Sequence, residues 1–331
     1  MWEYVANITI RIENIIVEYI DIDYYRWLTW LLAPLILTFL LPGIIIILLY
    51  MTAIILYIYK WHRVRLKTAY EEQDLWQTAR NIVAILWDAH GFLWHGFEIT
   101  GLEYIPKDSA ALIIYYHGAI PVDLYYFIAK VFLFRNRLIH TVADRFLFNI
   151  PGWKIISEVL KVIPGTVQTC STILKEGNLL AISPGGVYEA QFSTSYELMW
   201  KKRLGFAKVA IDAKVPIIPM FTENVREAFR AVSLGRRIWL KLYAWTKFPF
   251  APIYGGFPVK MRTHLGAPIP YDENLTPEEL QTKVHQALSE LIAKHQRIPG
   301  SITQSLIERV YVSPNKNLKL INSDDNEFHI A

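Results

Sequence analysis

The chain has 331 residues, of which 53% are hydrophobic and 14% aromatic, and its net charge is only +4. That balance excludes a general polyanion binder, and the basic residues carry no nucleic-acid-binding motif. A single cysteine, Cys170, excludes an intramolecular disulfide and any paired-cysteine metal site.

The N-terminal segment, residues 1–26, is net acidic: Glu3, Glu13, Glu18, Asp21 and Asp23 outnumber Arg11 and Arg26. A cleavable signal peptide would carry a short basic segment there, so none is expected. Residues 27–59 hold no charged side chain. Pro42-Gly43 divides this run into two arms, each shorter than the roughly 20 residues of a full span. A shallow helical hairpin that enters and leaves on one side of a membrane is expected. A single long, tilted helix kinked at the proline is the alternative. Lys60, His62, Arg63, Arg65 and Lys67 follow at once, which places this end toward the cytosol by the positive-inside rule. In the linker of residues 60–96, Glu71–His90 has apolar residues at helical spacing (Leu75, Ala79, Ile82, Val83, Leu86) and predicts an amphipathic helix.

From Phe97 the pattern changes to short apolar runs alternating with helical segments. Strands are expected at Phe97–Tyr104, Ala111–Tyr116, Arg137–Val142, Asn178–Ser183, Val215–Phe221 and Met261–Leu265. Helices are expected at Leu124–Phe134, Trp153–Val162, Thr169–Lys175 and Phe206–Ala213. Thr276-Pro277-Glu278-Glu279 starts a further helix with a capping box. This alternation predicts an α/β domain over residues 97–300, followed by a polar tail, residues 301–331.

Two segments carry candidate chemistry. In Tyr115-Tyr116-His117-Gly118-Ala119-Ile120-Pro121-Val122-Asp123, a strand ends in a histidine and a short turn leads to an aspartate at the head of a helix. The imidazole then sits at the carboxyl end of a strand, and the turn can fold Asp123 back toward one ring nitrogen. Such a pair suits a general base that activates a hydroxyl. The other reading is a satisfied core histidine beside a helix cap. In Ser183-Pro184-Gly185-Gly186-Val187-Tyr188-Glu189, successive glycines let backbone N–H groups converge on an oxyanion or phosphate, and Glu189 can orient acceptor or backbone groups. The other reading there is a plain turn before a helix. His90 and His95 lack a third ligand and are read as structural.

Together with Val215-Pro216-Ile217-Ile218-Pro219-Met220, these segments resemble the lysophospholipid acyltransferase-like superfamily, which includes the diacylglycerol acyltransferase 2 relatives. His117-Gly118 resembles the histidine–glycine of the diacylglycerol branch. His117 with Asp123 resembles the histidine–aspartate pair of the glycerophosphate branch, with one residue more between them here. Gly185-Gly186 with Glu189 is similar to the diacylglycerol branch's glycine block. Phe221-Thr222-Glu223-Asn224 and Gly266-Ala267-Pro268-Ile269-Pro270 are similar to later blocks.

The resemblance implies an α/β glycerolipid acyltransferase-like domain in the endoplasmic reticulum membrane, facing the cytosol. It implies His117 and Asp123 as catalytic residues, with Gly118, Gly185, Gly186 and Glu189 around the substrate. The donor would be acyl-CoA, as co-substrate, with no further cofactor and no metal. Membrane lipids are the surroundings. Pro184–Gln191 contains no lysine or arginine, so a neutral glycerolipid acceptor, monoacylglycerol or diacylglycerol, is expected over one held by its phosphate. Arg145 is the cation that could still serve a phosphate. The Lys201-Lys202-Arg203 and Arg236-Arg237 clusters are placed at lipid headgroups or at the phosphates of coenzyme A.

Overall fold

The structure, a computed structural model, describes residues 24–66, 76–246 and 248–311. The acidic residues before Tyr24, Lys67, the start of the amphipathic helix at Glu71 and the tail after Tyr311 lie outside the described residues, as do the side chains of His62, Arg63 and Arg65.

The first element, α1 (Tyr24–Leu66), runs unbroken through both Pro34 and Pro42. The expected hairpin at Pro42-Gly43 therefore does not form. At about 1.5 Å per residue the helix is roughly 64 Å long. A proline removes one helical hydrogen bond. Reversing the chain there would strip several backbone groups of their partners, which an apolar medium does not tolerate. Packing also supports the helix past Pro42: Ile45, Thr52, Ala53 and Leu56 form a buried stripe against the rest of the protein. The remainder of the helix is largely exposed and apolar, and Arg26–Trp61 is long and apolar enough to cross a membrane.

α2 (Gln77–His90) continues into one π-turn, Gly91–His95. The domain that follows has a seven-stranded sheet. Its strands are β1 (Glu98–Thr100), β2 (Ala111–Tyr115), β3 (Ile139–Ala143), β4 (Val162–Pro164), β5 (Leu179–Ile182), β6 (Ile217–Thr222) and β9 (Arg262–Leu265), in the order β1-β9-β6-β2-β5-β3-β4. The run from β6 to β4 is parallel, and β9 joins β6 antiparallel. β7 (Phe229–Ala231) and β8 (Ile253–Gly255) make a separate small ladder.

The helices between strands are α3 (Val122–Arg135), α4 (Trp153–Val159), α5 (Val167–Lys175), α6 (Gly186–Phe192), α7 (Gly205–Ala213), α8 (Val225–Ala228), α9 (Arg236–Thr246), α10 (Pro277–His295) and α11 (Ile302–Val310). Right-handed crossovers put α3 and α4 on one face of the sheet and α5 and α7 on the other. The contacts agree: α2 packs on α3 and α1 on α4, while α5 and α10 pack on α7. β2 sits at the centre, with every residue buried. Its chain leaves toward β3 on one side, and β6 later fills the other. β2 is thus the switch point of the sheet.

The six expected strands and the expected helices are all present with shifted ends. Several elements were not expected: α6 beginning inside the glycine turn, the β7–β8 ladder, and α11, which folds the start of the tail expected to be polar, with Ile302, Leu306, Ile307 and Val310 at helical spacing. α9 covers the basic, aromatic stretch and leaves Ile238 and Trp245 exposed, with Phe248 and Phe250 beyond it and Phe92 and Leu93 on the π-turn also exposed.

Candidate active site

The carboxyl edge of the parallel strands gathers the candidate residues. β2 ends one residue before Tyr116, so His117 stands just beyond the central strand. Its Nδ1 lies 2.7 Å from the Gly118 carbonyl oxygen. A carbonyl only accepts, so Nδ1 carries the proton and Nε2 holds the lone pair. Burial lowers the pKa of the ring, and the bond to Gly118 opposes this in part. The imidazole is therefore neutral near pH 7 and basic at Nε2. Gly118 is needed for packing: a Cβ there would come 2.5 Å from Cγ2 of Val225, the first residue of α8.

Asp123, in the first turn of α3, is 2% exposed. The hydrogen bond expected between its carboxylate and the His117 ring is not present. Nδ1 is occupied by the Gly118 carbonyl, and Asp123 Oδ1 has no hydrogen-bond partner among the described residues. Burial pushes the carboxyl up to about 6, with the Thr222 hydroxyl and the backbone N–H groups of Leu124 and Asp123 opposing.

Glu189 turns out to serve the backbone. Its Oε1 accepts the His117 main-chain N–H at 3.0 Å and its Oε2 accepts that of Met199 at 2.8 Å. Burial raises its pKa to about 7, against those two bonds and the charges of Arg203 and Arg226. The carboxylate lies directly over Gly185, where a Cβ would come within 2.3 Å of it. Gly186 has φ +50° and starts α6. Arg203 closes this turn from outside, its Nη1 donating to the carbonyls of Pro184 at 2.8 Å and Gly185 at 2.9 Å. The glycine block thus does have a cation beside it, brought from the next loop.

His117, Gly186 and Arg203 line one cavity of about 850 Å³. Its apolar lining includes Ile45 and Leu49 of α1, Val83 and Ala84 of α2, and Leu124, Ile128 and Phe132 of α3. Its polar lining includes Asp144, Arg145, Ser183, Gln191, Arg203 and Tyr243. Gly118, Asp123, Gly185 and Glu189 do not line it, so they act on the site from behind. Arg203 was legible only as part of a basic cluster, because its approach to Gly185 is tertiary. Gln191 had no sequence signal, and Tyr243 stood out only as part of the aromatic stretch after Arg236-Arg237.

Cys170, His95 and the Glu223–His264–His295 cluster lie outside the cavity lining. Cys170 is buried in α5, and burial pushes its thiol up to about 11. His95 is held neutral by burial, its pKa down to about 3, and its Nδ1 donates to the Val259 carbonyl. Glu223, His264 and His295 bring one ligand atom each within 4.8 Å of one another. The two rings stack at 3.6 Å with 15° between planes. An ion bound by imidazoles lies near each ring plane, and near-parallel planes share no nearby point. His264 is instead satisfied by Glu223 at 2.6 Å and the Thr100 hydroxyl at 2.7 Å.

Comparison with known proteins adds to this geometry. A family model described as Acyltransferase matches residues 96–223. A human protein named "DGAT1/2-independent enzyme synthesizing storage lipids" is 53% identical over 291 residues, 88% of this chain and 89% of its own. A chicken protein of the same name is 50% identical over 293 residues, 87% of this chain and 86% of its own. The crystal structure of the 1-acyl-sn-glycerophosphate acyltransferase PlsC from Thermotoga maritima is similar at TM-score 0.46 and 17% identity, covering 74% of this chain and 96% of that one. With the match of the family model across the His117 strand and the glycine turn, and with such identity over nearly the whole length of these relatives, the chain belongs to the acyltransferase family.

Proposed function

We propose that the protein is a membrane-bound glycerolipid acyltransferase that moves a fatty acyl group from acyl-CoA to the hydroxyl of monoacylglycerol or diacylglycerol. The observation that carries this reading is His117: a neutral imidazole with Nδ1 tied to a carbonyl, on the wall of a cavity with a largely apolar lining. His117 Nε2 takes the proton of the acceptor hydroxyl, and the oxygen attacks the thioester carbonyl. The end of the glycine turn that lines the cavity, at Gly186 beside Arg203, steadies the oxyanion. As the intermediate collapses, the C–S bond breaks and the leaving thiolate takes the proton from the imidazolium. Asp123, ionised above about pH 6, favours that cation through space. No metal, no covalent acyl-enzyme and no cofactor beyond acyl-CoA is invoked.

Storage lipid in the names of the human and chicken relatives supports a neutral glyceride product. Arg145 and Arg203 both line the cavity. Arg203, however, spends Nη1 on two backbone carbonyls. The exposed apolar length of α1 supports a membrane anchor, and the exposed aromatic residues of α9 and the π-turn support contact with membrane lipids. The basic run from Lys60 supports a cytosolic domain, and the resemblance supports the endoplasmic reticulum.

The test is a panel of acceptors given to purified protein with labelled acyl-CoA. Monoacylglycerol or diacylglycerol should be acylated best, and His117→Ala should abolish transfer while leaving membrane insertion intact. Preference for a lysophospholipid or glycerol phosphate would move the assignment to a phosphate-bearing acceptor.

A further inference from the structure

Gln191 lies in the last turn of α6, on the face whose Gly186, Val187 and Ala190 also line the cavity. Its residue-level exposure is intermediate, yet both ends of its carboxamide, Oε1 and Nε2, are buried, and neither has a hydrogen-bond partner among the described residues. Buried polar groups are nearly always paired. A leucine or methionine would fill the same space without an unmet donor and acceptor, so an amide retained here costs the fold and needs another reason. It belongs to the polar lining of the cavity, with Ser183, Arg203 and Tyr243.

Building on the acyl transfer read above, we propose that Gln191 binds the glycerol backbone of a neutral acceptor. The amide oxygen accepts from a free glycerol hydroxyl, and the amide N–H donates to an ester carbonyl. A glyceride offers these two uncharged groups side by side, and the carboxamide matches both. A phosphate would instead call for a cation at this position. Gln191 thus acts as a selector for acceptor class, while the apolar lining holds the acyl chain.

The experiment uses full-length protein in mixed micelles, with donor and acceptor titrated separately. Gln191→Leu and Gln191→Met should raise the acceptor KM on the order of tenfold, leave the donor KM within about twofold, and keep the thermal midpoint at or above that of wild type. Gln191→Arg should move the ratio of monoacylglycerol to lysophosphatidic acid use toward the phosphate by about tenfold or more. An unchanged acceptor KM in both apolar variants overturns the proposal. So does a rise confined to the donor KM, which would assign the amide to the pantetheine arm of the donor. A lower thermal midpoint in both variants would make Gln191 structural and overturn it too. A wild type that acylates no glyceride defeats the functional reading itself, whereas an active wild type with indifferent variants defeats this inference alone.

Discussion

Glu189 holds His117 by its backbone: the buried carboxylate accepts the main-chain N–H of the histidine at 3.0 Å while the ring faces the other way, into the cavity. The same carboxylate fixes Met199, so one side chain sets the position of the loop after β2 and of the loop leading to Arg203.

Glu189→Gln keeps the shape but offers one acceptor where two N–H groups need one. Loss of a buried hydrogen bond of this kind costs about 1–3 kcal/mol. Activity is expected to fall about tenfold or more, since each 1.4 kcal/mol or so is tenfold in rate. The sign with pH is also defined. The Glu189 pKa rises on folding, to about 7. Its contribution is therefore complete below the unfolded pKa of about 4.3 and is lost as pH climbs through 7. The advantage of wild type over Glu189→Gln in thermal midpoint should be larger at pH 5 than at pH 8. A gap that widens with pH would refute this.

Asp123→Asn tests action through space. In wild type the acid limb of kcat/KM against pH should lie below the ordinary histidine range, because burial lowers the pKa of His117. Removing the negative charge lowers the histidine further, so the limb should move to lower pH while the plateau drops on the order of tenfold or more. A limb that stays in place would separate Asp123 from the reacting imidazole.

The two glycines of the turn should differ. In Gly185→Ala the new methyl group would push the Glu189 carboxylate off the His117 N–H, a collision worth about 1–3 kcal/mol. In Gly186→Ala the space is open, the nearest atom being Arg203 Nη1 at 3.5 Å, and the cost is the left-handed backbone, about 1–2 kcal/mol. Turnover should suffer more in Gly185→Ala, as measured by kcat at saturating donor. Equal loss in both would count against the placement of Glu189.

Thr52 and Trp87 tie α1 to α2 through a buried hydrogen bond of 3.1 Å. Thr52→Val removes the acceptor, leaves the indole N–H unmet, and should cost about 1–3 kcal/mol. The thermal midpoint in detergent should fall, and adding Trp87→Phe should restore part of the loss, as a double-mutant cycle would report. Additive losses would show that the bond does not couple the helices.

Much of this architecture could be read from residue patterns. Short apolar runs bounded by turns marked the central strands β2, β5 and β6, because buried parallel strands are continuous in sequence. The capping box at Thr276 is present as drawn, with both reciprocal bonds made. What failed depended on contacts distant along the chain. Pro42-Gly43 looks like a turn, but α1 continues because its flank is packed on α4 and β8. Asp123 seemed placed to pair with His117, yet the Gly118 carbonyl lies nearer the ring. The absence of a cation near Gly185 held only locally, since Arg203 arrives from a loop that no periodicity places. Gln191 is an ordinary surface-type residue in sequence, and only its burial beside the cavity makes it conspicuous.

Because Ile45, Ile46, Leu49 and Thr52 form part of the cavity lining, the long first helix is as much container as tether. A version trimmed to begin at α2 would lack one side of the chamber, and water would flood the place meant for hydrocarbon. Solubilising the catalytic unit by truncation would thus remove its means of retaining a greasy chain, even with every residue around His117 intact.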